Sequence, residues 1–246
     1  MVDSNLPNPS PSFLGFLKRV LQAHWSSLLL LLIGICLPLL GFQALAMVIL
    51  RDQGGFAWDD SILLAIHATA TPLLDKIART VTSTGGFHGI TLLTTTVGLT
   101  LLVRKRWRSL LYLVITLGGS GLLNVVAKTA LHRVRPQLWE QLTPKLGFAF
   151  PSGHAMGSMS LVMALVILTW GSRWSWLVGL GGTGFVVTIA WTRLYLGVHF
   201  PSDILAGWLA AIAWSIGVSL VIRPHLTRPD AIDEVKATPE ELSHSN

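Results

Sequence analysis

Long apolar stretches alternate with short polar ones along most of this chain. Six of them approach the roughly 20 residues a helix needs to cross a bilayer: Ser27–Leu50, Ser83–Val103, Ser109–Ala130, Gly153–Trp170, Ser175–Leu196 and Pro201–Ile222. Arg51–Thr82, between the first two, is too polar to cross. Within it Ile62, Leu63, Ile66, Leu73, Leu74 and Ile77 recur at helical spacing opposite Asp75, Lys76 and Arg79, with a break at Pro72. That pattern predicts two short amphipathic helices lying at the membrane interface; a solvated loop is the alternative. The expected organisation is all-α: a polar, disordered N-terminal tail (1–24, its first seventeen residues rich in Pro and Ser), a six-helix membrane domain (25–222) and a polar cytoplasmic tail (223–246). Lys18 and Arg19 precede the first span, and Ala44-Leu45-Ala46 resembles a signal-peptidase site. The apolar stretch exceeds the roughly 7–15 residues of a signal peptide, so a retained anchor is expected; cleavage would leave five spans.

Composition sharpens this picture. Hydrophobic residues make up 51% of the 246 but charged ones only 12%, about half the share of a soluble domain. The net charge of +6 does not point to nucleic acid, because the basic residues sit between apolar runs and form no polar face. The single cysteine, Cys36, lies inside an apolar run, which excludes an intrachain disulfide and a Cys-based metal site.

The Lys and Arg residues set the orientation. With the N-terminus inside, ten of them face the cytoplasm: Lys18, Arg19, Arg104, Lys105, Arg106, Arg108, Arg173, Arg223, Arg228 and Lys236. Eight face outward: Arg51, Lys76, Arg79, Lys128, Arg133, Arg135, Lys145 and Arg193. The Arg104–Arg108 cluster is the strongest vote for positive-inside. Both termini are therefore expected in the cytoplasm of a multi-pass plasma-membrane protein.

Three clusters of ionisable residues fall at span ends, all on the outer face of this threading: Lys128 to Pro136, Pro151 to His154, and Thr192 to Asp203. Lys128, Arg135 and Arg193 offer cationic donors, and an Arg fork matches phosphate oxygens. Ser152 and Gly153 open a span, and a helix N-terminus is a ready anion site. Charges at a span are costly and usually functional, although Lys and Arg also snorkel to headgroups. Two histidines lie beside these groups. Asp203 follows His199 by four residues and falls at the third position of a helix opened by Pro201. From there its carboxylate can reach back to one imidazole nitrogen, leaving the other neutral and nucleophilic, or it can simply cap its own helix. His154 is then the candidate general acid. A facial metal triad of His154, His199 and Asp203 is the rival chemistry, but three nearby cations favour an anion.

The clusters resemble the signature motifs of the type 2 phosphatidic acid phosphatase superfamily: K-x6-R-P at Lys128–Pro136, P-S-G-H at Pro151–His154, and S-R-x5-H-x3-D ending at Asp203, with Thr192 in place of the usual Ser. The similarity covers roughly Trp58 to Ile222. It implies a six-helix bundle with its site at the outer leaflet. His199 would be the nucleophile, Asp203 its orienting partner and His154 the general acid, while Lys128, Arg135, Ser152, Gly153 and Arg193 would hold the phosphate without metal or cofactor. The expected function is removal of phosphate from a lipid phosphate or diphosphate (phosphatidate, phosphatidylglycerophosphate or undecaprenyl diphosphate) through a phosphohistidine. Phosphotransfer to a lipid or sugar acceptor is the alternative. A vanadate-dependent haloperoxidase is disfavoured by the spans, and a silent scaffold by the intact His154, His199 and Asp203.

Overall fold

The computed structural model describes Trp25 and residues 28–51, 55–139 and 147–224. Both predicted tails, but for Arg223 and Pro224, lie outside the described residues, as does Lys145. Among the described residues the chain forms eight helices. These are α1 (Leu28–Arg51, with a π-helical turn at Leu32–Cys36), α2 (Ala57–His67), α3 (Pro72–Thr84) and α4 (Phe87–Val103). They continue as α5 (Trp107–Leu131), α6 (Gly153–Thr169), α7 (Ser175–Tyr195) and α8 (Pro201–Ile222).

The helix starts follow from local chemistry. Thr71 caps α3, its hydroxyl accepting from Leu74 N at 3.3 Å, and Pro72 takes the first helical position, where its missing N–H costs nothing. Pro201 opens α8 in the same way. The stretch around Ser83 departs from expectation. The second predicted span began at Ser83, yet α3 runs through to Thr84 and α4 starts only at Phe87, the pair bent by 45°. The break falls at Gly85 and Gly86, and a Cβ on Gly85 would stand 2.6 Å from Ile189 of α7, so glycine is what permits this close approach.

Helices α1, α5, α7 and α8 are each long and apolar enough to cross a bilayer, and the bent α3–α4 pair is so when taken together. Helix α6, at 17 residues, is a shorter apolar helix. Its length is about 26 Å at 1.5 Å per residue.

The exterior is apolar: Leu40, Leu92, Leu122, Leu180 and Val221 all face outward. Helix α4 carries no charged residue, although it holds His88 and several threonines, and it has no buried residue. The interior, by contrast, holds small polar groups that tie helices together. Ser120 of α5 and Ser160 of α6 share a 2.7 Å hydrogen bond, and the Tyr112 hydroxyl donates to Ser215 O of α8 at 3.2 Å. Where lipid tails are as apolar as leucine, such bonds and close packing hold helices together. Helix α6 is central and packs on α4, α5, α7 and α8. Because these helices alternate in direction, the C-terminal ends of α5 and α7 and the N-terminal ends of α6 and α8 share one end of the bundle. Arg104–Arg108, Arg173 and Arg223 mark the other end.

Candidate active site

The predicted residues gather at that first end. Lys128, in the last turn of α5, donates to Phe148 O at 2.6 Å. Arg135 lies just beyond α5 and donates to Gly147 O (3.1 Å), Phe148 O (3.3 Å) and Val198 O (2.6 Å). The carbonyls entering α6 and α8 thus hold two cations with their charge uncancelled. Ser152 caps α6, and its N–H donates to Asp203 O at 3.0 Å, clasping the starts of α6 and α8 together. A Cβ on Gly153 would stand 3.1 Å from Asn124 Oδ1, and Asn124 Nδ2 donates to Pro151 O at 3.2 Å. The P-S-G-H turn is therefore pressed against α5. Arg193 is 1% exposed; it donates to Thr82 Oγ1 at 2.8 Å, while its buried Nε has no hydrogen-bond partner among the described residues. Thr192 donates to Ile189 O at 2.7 Å, within its own helix.

His199 is enclosed between cation and carboxylate. Its Nε2 lies 3.1 Å from Arg135 Nη1, and its Nδ1 lies 3.4 Å from Asp203 Oδ2. A guanidinium can only donate, so Nε2 accepts and the ring proton resides on Nδ1, facing Asp203. Asp203 fulfils both sequence expectations at once, since the same Oδ2 accepts from Phe200 N at 2.8 Å as a helix cap. Burial first, then the charges of Arg193, Arg135 and Lys128, push the His199 pKa well below the ordinary 6.5, so the imidazole is neutral at physiological pH. Burial also lowers the Arg135 pKa, which Asp203 partly offsets.

His154 stands on another flank. A Cβ on Gly86 would come within 3.2 Å of its Nε2. There His154 lines a cavity of about 620 Å³ that runs between α4 and α5 past Ile90, Gly118, Gly121 and Asn124. Among the described residues, no three His, Cys, Asp or Glu side chains cluster closely enough to hold a metal ion.

The sequence reading missed part of the site. It placed Arg133 among the outer-face cations, whereas its side chain is fully buried and paired with Asp59 (2.7 Å) and Asp203 (2.6 Å). Asp59 and Ser202, equally buried, complete that cluster. One signal was available: between Trp25 and Pro224 the only acids are Asp52, Asp59, Asp60, Asp75, Glu140 and Asp203, far fewer than the Lys and Arg residues there, so each had many cations to choose from.

Comparison with known proteins gives the family. A family profile described as PAP2 superfamily matches residues 109–226, which contain all three motifs. Phosphatidylglycerophosphatase B of Bacillus subtilis is 31% identical over 156 residues, covering 61% of this chain and 76% of that protein. The chain belongs to the PAP2 superfamily. Other PAP2 proteins extend the likeness. Undecaprenyl-diphosphatase of Sulfolobus acidocaldarius is 33% identical over 115 residues, 44% of this chain and 53% of that one. The crystal structure of a transmembrane PAP2 type phosphatidylglycerolphosphate phosphatase from Bacillus subtilis superposes with a TM-score of 0.68 at 28% identity, covering 76% of this chain and 94% of that one. As a PAP2 member with these spans and relatives, the protein is a multi-pass membrane phosphatase.

Proposed function

We propose that the protein hydrolyses a lipid phosphate or diphosphate through a phosphohistidine at the extracytoplasmic face of the plasma membrane. The observation that carries this reading is the cationic surround of His199, together with a mainly apolar cavity lined by Gly153 and His154 of the P-S-G-H motif. The phosphate would lie among Lys128, Arg135, Arg193 and the N–H groups of the Ser152–Gly153 turn, with the lipid chain in the groove between α4 and α5. Phosphatidate, phosphatidylglycerophosphate and undecaprenyl diphosphate all present this combination.

The chemistry runs in two steps. The His199 Nε2 lone pair attacks phosphorus as the bond to the leaving oxygen breaks, and His154 gives that oxygen a proton. The ring, carrying both a phosphoryl group on Nε2 and a proton on Nδ1, becomes cationic, and Asp203 stabilises it. Water then attacks phosphorus while His154 takes its proton back. The N–P bond breaks, and neutral His199 and inorganic phosphate result. The cations act where the equatorial oxygens gather charge, which is the largest usual source of rate.

Positive-inside reasoning gives the sidedness. The Arg104–Arg108 cluster, Arg173 and Arg223 lie at the end of the bundle opposite the site. Counting α1, the α3–α4 pair, α5, α6, α7 and α8 as spans gives six, with both termini inside and α2 at the outer interface. The reading is tested by phosphate release from detergent-purified protein on the three lipids with EDTA present. Release from at least one, abolished in His199→Ala, is the expected result; no release from any would refute it.

A further inference from the structure

The three motifs leave Asp59 unassigned and pass over Arg133 as a spacer, yet Arg133 is bonded to the carboxylate that faces His199 and Asp59 is bonded to Arg133. We propose that Asp59 and Arg133 are positioning residues for His199, acting through Asp203 as one buried line Asp59–Arg133–Asp203–His199. This rests on the assignment of His199 as nucleophile.

The geometry carries the argument. Asp203 has two oxygens with different tasks. Its Oδ1 takes Arg133 Nη1 at 2.6 Å, which leaves Oδ2 to accept from Phe200 N and to face His199 Nδ1. Arg133 therefore decides which oxygen the imidazole meets. The guanidinium is itself held on several sides. Nη2 donates to Asp59 Oδ2 at 2.7 Å, Nη1 donates to Ser202 Oγ at 2.7 Å, and the Phe200 ring lies 4.1 Å from its carbon. Asp59 is fixed in turn by Ser202, whose N–H donates to Oδ1 at 3.0 Å and whose hydroxyl donates to Oδ2 at 2.6 Å.

Charge explains why a second acid is present. Arg133 alone would cancel Asp203, and the imidazole would face a neutral pair. With Asp59 sharing the guanidinium, the buried cluster keeps one net negative charge. That charge stands against Lys128 of α5, Arg135 beyond α5 and Arg193 of α7, the cations acting on His199. It is also what a ring turning cationic on phosphorylation requires.

The test is a double-mutant cycle with kcat, KM, pH profile and melting temperature measured in detergent. His199→Ala comes first; if it retains turnover, the nucleophile assignment fails before this proposal is reached. Asp59→Asn should then lower kcat on the order of 10–100-fold, as loss of an orienting partner does elsewhere, with little change in KM. In an Asp203→Asn background the same change should cost less than about twofold, because partners in one network are not additive. Removing the Asp59 charge should also move the acid limb of kcat/KM to lower pH, and Arg133→Gln should move it to higher pH. Equal losses from Asp59→Asn in both backgrounds, or an acid limb unmoved by either variant, would overturn the proposal. Where Asp59→Asn or Arg133→Gln does not fold, Ser202→Ala loosens the same cluster without changing charge. Its kcat loss should likewise vanish in Asp203→Asn, and a persistent loss or none at all would count equally against the line.

Discussion

Arg135 stands closer to His199 than Asp203 does: its Nη1 is 3.1 Å from Nε2, against 3.4 Å between Asp203 Oδ2 and Nδ1. The nitrogen with the free lone pair thus already faces the cation that would receive a phosphate oxygen. A bound phosphate must come between them and take over the guanidinium, releasing the lone pair as it does so. The sign of the pH effect follows. His199 must be neutral to attack, and burial with the surrounding cations keeps its pKa well below 6.5. The acid limb of kcat/KM that His199 sets should therefore lie below that value. Arg135→Gln removes one of those charges and should move the limb to higher pH while lowering kcat/KM. A limb that stays in place under this substitution would mean that it reports another group.

The two histidines should fail differently. His199→Ala removes the attacking atom and should abolish turnover on every substrate. His154→Ala removes only the proton donor, so its penalty should shrink as the leaving group becomes less basic. p-Nitrophenyl phosphate or a diphosphate lipid should suffer less than phosphatidate. Equal losses on both, or a phosphoenzyme trapped by rapid quench in His199→Ala, would reverse the assignment.

Asp203→Asn should reduce kcat on the order of 10²–10⁴-fold, by analogy with other His–carboxylate pairs. The contact to Phe200 N asks only for an oxygen, so the helix cap can survive; the bond to Arg133 and the support of a cationic ring cannot. A melting temperature near wild type combined with that loss separates chemistry from folding.

The motif residues were legible because each carries its chemistry in its type and spacing. Pro201 and Asp203 specify a helix start, four residues place His199 beside the carboxylate, and Ser152 and Gly153 open α6 as expected. The four longest spans were legible from hydropathy alone. Arg133 was not, because its partners lie 70 and 74 residues away and nothing local distinguishes a buried Arg from one at the surface. The need for glycine at Gly85 was hidden for a related reason: it comes from how closely Ile189 approaches, a tertiary fact.

The groove between α4 and α5 gives a prediction about the lipid chain. Among the described residues a Cβ on Gly118 or Gly121 meets nothing within 4 Å, and both residues line the cavity. Gly118→Leu and Gly121→Leu should raise KM for long-chain lipid phosphates and leave hydrolysis of p-nitrophenyl phosphate nearly unchanged. Parallel losses on both substrates would place the chain elsewhere.

Sidedness can be read by labelling in a Cys36→Ala background. Val134→Cys, on an exposed position beside the site, should react with an impermeant maleimide in intact cells or spheroplasts. Trp174→Cys, exposed in the turn between α6 and α7, should react only after lysis. The opposite pattern would invert the topology.

The buried Arg133 cluster also bears on how the chain assembles. Its acids arrive from α2 and from the start of α8, so α8, made after the other described helices, delivers Asp203 and Ser202 to an arginine made 69 or 70 residues earlier. Until then Arg133 must stay hydrated at the membrane surface, since an arginine with half its partners is costly in lipid. Docking of α8 therefore seals the bundle and completes the His199 site in the same event. A chain truncated before α8 would still pair Arg133 with Asp59 but would lack Ser202 and Asp203, leaving part of the guanidinium without the partners the finished enzyme supplies, a mark by which membrane quality control could tell nascent from mature protein.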